Sequence, residues 1–222
     1  MITLLAATAV LQGMNMLTPA EKRKGWELLF DGQTTKGWHN FKAEGVRPGW
    51  TVSDGILKVA DPGNAGDIVT DKKFEWFELE LDWNVSKGGN SGIMFHVADD
   101  GDATWHSGPE IQIMDKDVDP HGQLAGYLYE LYSSPVDSTN PPGQWNHFRI
   151  VIAPDKCATY VNGVKYYEYV LNSPDFWDRV KKSKFASMPN FSKLASGSIA
   201  IQGDHGVVSF RNIKIRPIKP KK

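Results

Sequence analysis

Residues 74–85 read as one alternating strand. Phe77, Leu79, Leu81 and Trp83 fall on one parity, and Glu78, Glu80, Asp82 and Asn84 on the other. A period of two over that length fits a strand with one face in a core and the other toward water. Further short strand candidates lie at 26–30, 50–59, 91–97, 110–114, 145–152, 158–161, 164–170, 197–201 and 208–215. Between them stand turn signals such as Asp31-Gly32, Asp54-Gly55 and Gly88-Gly89-Asn90, the second at the tip of the hairpin expected over 50–59. Many short strands with this punctuation specify an all-β antiparallel sandwich.

Two segments depart from the β rhythm. Thr18-Pro19-Ala20-Glu21 has the form of a helix start, with a Thr cap, Pro at the first position and Glu at the third. That helix is expected to run to about Lys24. Residues 173–184 begin with Ser173-Pro174 and carry Phe176, Trp177 and Val180 at helical spacing, which predicts a short amphipathic helix resting on the sandwich. The 222 residues suit one all-β domain, expected over 17–218. Residues 1–16 read as an export-signal remnant or an N-terminal extension. Met1 to Gln12 is apolar, with a small-residue Ala7-Thr8-Ala9, but no Lys or Arg precedes the run.

Composition narrows the function classes. A formal net charge of -1 offers no basic face for nucleic acid, and no stretch beyond the N-terminus approaches membrane-spanning length. The single cysteine, Cys157, excludes an intramolecular disulfide and reads as a small buried hydrophobe within a strand. Phosphate-loop, serine-hydrolase and zinc-protease motifs are missing. The chain carries 8 Trp, 7 Tyr and 10 Phe, enough to fill a core and still line a groove.

The strand 110–114 carries the chemistry. With Ile111 and Ile113 inward, Glu110, Gln112 and Met114 share the open face, either as a solvated surface or as a site that binds hydroxyls or moves protons. In 91–97 the same parity puts Ile93, Phe95 and Val97 inward and Gly92, Met94 and His96 outward, so His96 is expected to share a face with Glu110. Ile199 and Ile201 point inward, leaving Ala200 and Gln202 outward, and Asp204-His205 follow in a glycine-bracketed turn. Arg211 either pairs with a carboxylate in or beside the site or supports the fold. Two polar loops, 98–108 and 116–143, flank strand 110–114, and long ordered loops tend to bind ligands. Asp99, Asp100, Asp102, Asp115, Asp117 and Asp119 concentrate acid in these loops. They are solvated charges or ligands for a divalent cation such as calcium, although their spacing is not that of an EF-hand.

Several longer stretches carry a resemblance. They include Gly25-Trp-Glu-Leu-Leu-Phe-Asp-Gly, Gly49-Trp-Thr-Val-Ser-Asp-Gly-Ile-Leu, Gly66-Asp-Ile-Val-Thr-Asp and Gly88-Gly-Asn-Ser-Gly-Ile-Met-Phe-His-Val. Gly108-Pro-Glu-Ile-Gln-Ile-Met-Asp, Ser183-Lys-Phe and Phe210-Arg-Asn-Ile-Lys-Ile-Arg continue the series. In this order and over nearly the whole chain from Leu17, they resemble the 3-keto-disaccharide hydrolase family. The resemblance implies a concanavalin A-like jelly-roll β-sandwich of two antiparallel sheets with short peripheral helices. It also implies export to the periplasm or the extracellular space, and cleavage of glycosides whose sugar is oxidised to a ketone at carbon 3. The family pattern reads Gln-Asp-His-Gly where this chain has Gly203 between Gln202 and Asp204.

A ketone at carbon 3 acidifies the hydrogen on carbon 2, so a base can form an enolate that expels the group on carbon 1. On this reading Glu110 or His96 is the base, and Arg211, His205 or a bound cation stabilises the enolate. Gln112, Gln202, Asn90 and Asp204 bind the sugar, with Trp105 or Tyr127 stacked on its ring. The partners expected are a glycoside or oligosaccharide substrate and a sugar 3-dehydrogenase that makes the ketone. A non-catalytic, lectin-like carbohydrate-binding module is the alternative.

Overall fold

The computed structural model describes residues 13–99, 101–118 and 122–219. Residues 1–12 of the expected N-terminal segment 1–16, together with Asp100 and Asp119, lie outside them. Among the described residues the elements run α1 (Pro19–Arg23), β1 (Glu27–Leu28), β2 (Trp38–Asn40), β3 (Trp50–Ser53), β4 (Ile56–Val59), β5 (Ile68–Thr70), β6 (Phe77–Val85), β7 (Asn90–Val97) and β8 (Glu110–Met114). They continue with β9 (Asn146–Ile152), β10 (Cys157–Val161), β11 (Val164–Tyr169), α2 (Pro174–Val180), β12 (Ser198–Ile201) and β13 (Val208–Pro217). All strand pairs are antiparallel, in two sheets. The larger has the order β11-β10-β9-β6-β13-β4-β3, with β1 also on β13, and the smaller has the order β2-β5-β12-β7-β8. This is the expected jelly-roll-like sandwich with short peripheral helices.

The alternation of β6 does what its pattern requires. Phe77, Leu79, Leu81 and Trp83 are fully buried between the sheets, where they meet Phe148 and Ile150 of β9 and Ile93, Phe95, Ile111 and Ile113 of the smaller sheet. Trp83 and Phe148 pack with ring centroids 5.1 Å apart. The opposite parity builds a ladder of ion pairs on the outer face of the larger sheet. Glu78 accepts from Arg149 at 2.5 Å and from Arg216 at 2.6 Å, Glu80 pairs with Lys214 at 2.8 Å, and Asp82 pairs with His147 at 2.9 Å and Arg211 at 3.1 Å. Cys157 is fully buried, and burial pushes its thiol up to about 11, which suits a packing residue and not a nucleophile.

The N-terminal segment docks on that outer face. Asn15 and Asn212 exchange reciprocal hydrogen bonds, each backbone N–H donating to the other's side-chain oxygen at 2.7 Å. α1 opens with the expected capping box: the Glu21 N–H donates to Thr18 Oγ1 at 3.2 Å, and the Thr18 N–H to Glu21 Oε2 at 2.7 Å. α2 starts at its Ser173 cap and buries Phe176 and Val180, but ends at Val180 and not at residue 184. The Ser183 hydroxyl accepts from the Phe185 N–H at 3.1 Å and so starts a separate 3-10 turn, Lys184–Ser187.

Two strands lie where the sequence pattern gave no strand, β2 and β5. Each has only three residues, too few to display alternation, and β5 is buried at every position. A second departure matters more. Between β7 and β12 the register shifts, so that the four residues from Met94 to Val97 oppose the three from Ala200 to Ser198. The extra residue reverses the parity of β7 after Phe95. His96 takes φ +54 and points into the core, while Val97 joins Val69, Met94 and Ala200 in an apolar cluster on the other face.

Removing the Phe148 ring should leave a cavity beside Trp83 that the sandwich cannot close. Phe148→Ala is expected to cost about 3–5 kcal/mol, read as a lower denaturant midpoint with an unchanged slope in chemical unfolding.

Candidate active site

The inward anchors Ile111 and Ile113 turn Glu110 and Gln112 to the outer face of the smaller sheet, and β7 lies beside them with Gly92 opposite Gln112 and Met94 opposite Glu110. Gly92 has a steric purpose. A Cβ there would stand 2.0 Å from Glu110 Oε1 and 2.7 Å from its Cγ, so the Glu110 side chain lies across the space that a larger residue would fill. Glu110 is only 8% exposed, and burial pushes its carboxyl from the ordinary 4.5 up to about 8. The positive charge of Lys184 opposes that rise, while the negative charges of Asp67 and Asp204 add to it.

Asp67 and Asp204 line a polar cleft of about 190 Å³ with Asn40, Arg47, Thr104, Trp105 and Gln202, which places Glu110 beside it. Asp67, just before β5, accepts from Thr104 Oγ1 at 2.5 Å and from the Gly203 N–H at 3.1 Å. Burial raises its pKa, those two hydrogen bonds oppose the rise, and Asp204 adds to it. Lys184, on the turn after α2, holds its ammonium 4.2 Å from the centre of the Tyr129 ring and 5.1 Å from that of Trp105. The strand-like run 126–129 is tied to β8 by Gln112 N–H to Tyr127 O at 3.0 Å and Tyr129 N–H to Glu110 O at 2.9 Å. The long loop that flanks β8 thereby supplies a wall.

The expected site residues divide into three groups. Glu110, Gln112, Asn90, Gln202, Trp105, Asp204 and His205 come together at or around the cleft. Asn90 shares the Gly92 face by strand parity and carries a buried Oδ1 with no hydrogen-bond partner. Gln112 is buried, with Oε1 accepting from the Ile113 N–H at 3.0 Å. His205 is exposed, its ring against the Asp204 carboxylate. The extra glycine does not remove Asp204 from the cleft, because Gly203 packs against Trp50 and Gly66 and gives its N–H to Asp67.

Three expectations require correction. His96 is not on the open face: the bulge turns it among Trp76, Phe77 and Phe95, with Nε2 2.7 Å from Glu75 O, and burial lowers its pKa. Arg211 lies on the outer face of the other sheet, paired with Asp82 and packed 4.0 Å from the centre of the Trp145 ring. Tyr127 gives its hydroxyl to Ser134 O at 2.8 Å and sets its ring edge-on to Tyr166, and it does not line the cleft.

The acidic loop residues are dispersed. Asp99 pairs with Lys73 at 2.7 Å, and Asp115 accepts from the Gly88 and Asp117 N–H groups at 2.9 and 3.1 Å. Asp102 lines the cleft. Among the described residues no three His, Cys, Asp or Glu side chains gather as a metal cage. Sequence reasoning gave no role to Asp67, Lys184 or Tyr129. Asp67 and Lys184 stand inside the stretches Gly66-Asp-Ile-Val-Thr-Asp and Ser183-Lys-Phe, but nothing in those local patterns marks either as facing Glu110.

Residues 25–216 match the family described as the 3-keto-alpha-glucoside-1,2-lyase-like domain. The chain belongs to this family. A relative from Bacteroides thetaiotaomicron, named 3-keto-disaccharide hydrolase, is 31% identical over 86% of this chain and 78% of its own length. A Parabacteroides distasonis protein, provisionally termed a glycosyl hydrolase, has a crystal structure that superposes with a TM-score of 0.85 at 31% identity, covering 93% of this chain and 100% of that one. The β-glucanase of Bacillus licheniformis shares the fold alone, with a TM-score of 0.51 at 12% identity, over 87% of this chain and 97% of that one. This family member is thus a two-sheet β-sandwich whose polar cleft lies on the smaller sheet.

Because the native state holds the Glu110 proton up to about pH 8 and the unfolded chain releases it near the ordinary 4.5, the folded protein binds more protons across that window. Its stability should therefore fall as pH rises from 4.5 to about 8 through this group. Glu110→Gln abolishes that contribution. The variant's melting temperature relative to the parent should rise across the window and level off above it. Gly92→Ala should displace the Glu110 carboxylate, lowering activity and flattening the pH dependence of the melting temperature across the same window.

Proposed function

We propose that the chain cleaves 3-keto-glycosides by removing the proton on carbon 2 and eliminating the group on carbon 1, with Glu110 as the base. Family membership makes it an enzyme that acts on sugars and cleaves glycosides. The observation that carries the finer reading is Glu110 itself: a buried carboxyl raised to about 8, facing a polar cleft, with an ammonium nearby. A base whose pKa lies near the working pH combines availability with driving force, which an exposed carboxylate lacks.

The step balances as follows. Glu110 carboxylate takes the proton from carbon 2, and the electron pair moves toward the carbon 3 oxygen as an enolate. Lys184, in place of the expected Arg211, stabilises that negative charge from its place against the Tyr129 and Trp105 rings. The enolate collapses, the bond from carbon 1 to the leaving oxygen breaks, and that oxygen takes a proton from the Asp204–His205 pair at the rim. The products are an unsaturated keto sugar and an alcohol. Addition of water to the former gives net hydrolysis. Gln112, Gln202 and Asn90 bind hydroxyls, and Trp105 offers its ring to the sugar. The ketone has to be made first by an oxidation at carbon 3, which suits a sugar 3-dehydrogenase acting upstream.

This arrangement differs from that of ordinary glycosidases, which need an acid and a second carboxylate at a set separation around an oxocarbenium ion. Turnover in deuterated water should place deuterium on carbon 2 of the keto sugar once water has added to the unsaturated product, and the unoxidised parent glycoside should not be cleaved. Cleavage of the parent glycoside would overturn the elimination route. Glu110→Gln should lower kcat/KM by about 100-fold or more. In the wild type kcat/KM should climb with pH and bend near 8, the value at which Glu110 ionises.

A further inference from the structure

A second cavity opens beside the polar cleft. It measures about 310 Å³, and its walls include Ala98, His106, Ser187, Met188 and Pro189. Asp102 lines both spaces. The two turns that build the boundary each serve both sides. The 3-10 turn Thr104–His106 gives Trp105 to the cleft and His106 to the cavity, the two rings meeting edge to face at 4.2 Å. The turn Lys184–Ser187 gives Lys184 to the Glu110 side and Ser187 to the cavity, followed at once by Met188. One polar group of its wall, Ser107, is already engaged, since its Oγ accepts from the Ala98 N–H at 2.9 Å.

The contrast between the two spaces is chemical. The cleft presents mainly carboxylates and amides to hydroxyls, whereas the cavity, with Asp102 and Asn190 in its wall, adds a methyl, a thioether, a pyrrolidine ring and an imidazole face. Thioether and ring surfaces favour apolar, polarisable groups, and the cavity has the size of a small-ligand pocket. We propose that it is the leaving-group subsite, and that it takes an apolar ring, aryl or alkyl, in preference to a second polar sugar. The proposal rests on the elimination reading for which bond lies between the two spaces, and the cavity's own preference is measurable without it.

The test uses three 3-keto-glucosides that differ only in the leaving group: methyl, benzyl and glucosyl. Methyl and benzyl alcohols are of like acidity, so a difference between their glycosides reports binding and not leaving-group chemistry. Binding is read first, on the full chain carrying Glu110→Gln so that nothing is consumed, from the methyl resonance of Met188, assigned by its loss in Met188→Trp. The benzyl compound should shift that signal saturably, and the methyl and glucosyl compounds should not. In the parent enzyme Met188→Trp fills the cavity. It should lower kcat/KM for the benzyl substrate by roughly tenfold or more and leave the methyl substrate within about twofold, as befits a residue remote from the chemistry. Ser187→Trp fills the same space from an exposed turn and should act alike, which guards against misfolding of either variant.

A benzyl compound that leaves Met188 unshifted, or a glucosyl compound that shifts it equally, would overturn the proposal. If no compound is turned over while benzyl still shifts Met188, the elimination reading fails and the apolar cavity stands.

Discussion

The candidate site depends on the anchoring of one five-residue strand. Ile111 and Ile113 are held between the sheets, and that fixes Glu110 on the opposite face with no freedom to choose. A one-residue slip would exchange the two sets, placing isoleucines in the cleft and a carboxylate in the core, so the hydrophobic pattern enforces the register. The absence of a side chain at Gly92 then lets the carboxyl lie flat and lose contact with water. Packing energy spent in the core thus holds an unfavourable group in place: a carboxyl without the hydrogen bonds that keep Asp67 satisfied. Sites of this kind commonly trade stability for reactivity.

Electrostatics in the cleft follow from the same placement. The negative charges of Asp67 and Asp204 disfavour ionisation of Glu110, and that of Asp204 also adds to the raised pKa of Asp67. Lys184 partly offsets this, held by aromatic faces and not by a carboxylate. An ammonium kept out of a tight ion pair stays available to a new anion. On the opposite sheet the cations have the contrary fate. Arg149, Arg216, Lys214 and Arg211 are each tied to a carboxylate of β6, and their charge is spent on holding strands together.

How far the sequence was legible depended on the length and regularity of each element. The nine-residue alternation of β6 and the paired isoleucines of β8 were readable because one face of each strand is buried, and this put Glu110 and Gln112 on the correct side. The same parity rule failed at His96, because a bulge is set by the backbone of a neighbouring strand and leaves no local mark on β7. Arg211 was misplaced for a different reason: parity tells which side of its own sheet a residue occupies, but not which sheet holds the cleft. Asp67 and Lys184 sit outside long strands, on a three-residue edge and a single turn, where no periodicity exists to read. Their proximity to Glu110 is a product of topology, since β5 reaches β7 only through β12.

The reciprocal bonds between Asn15 and Asn212 also decide which way the molecule faces the world. They clasp the beginning of the described chain to the back of the larger sheet, and β13, which ends at Pro217, belongs to that sheet as well. The described chain therefore starts at the back of the sandwich, away from the smaller sheet that carries the cleft. A surface or a second protein that met the outer face of the larger sheet would hold the molecule by its back. Large, slowly diffusing glycosides could then still approach the cleft head-on.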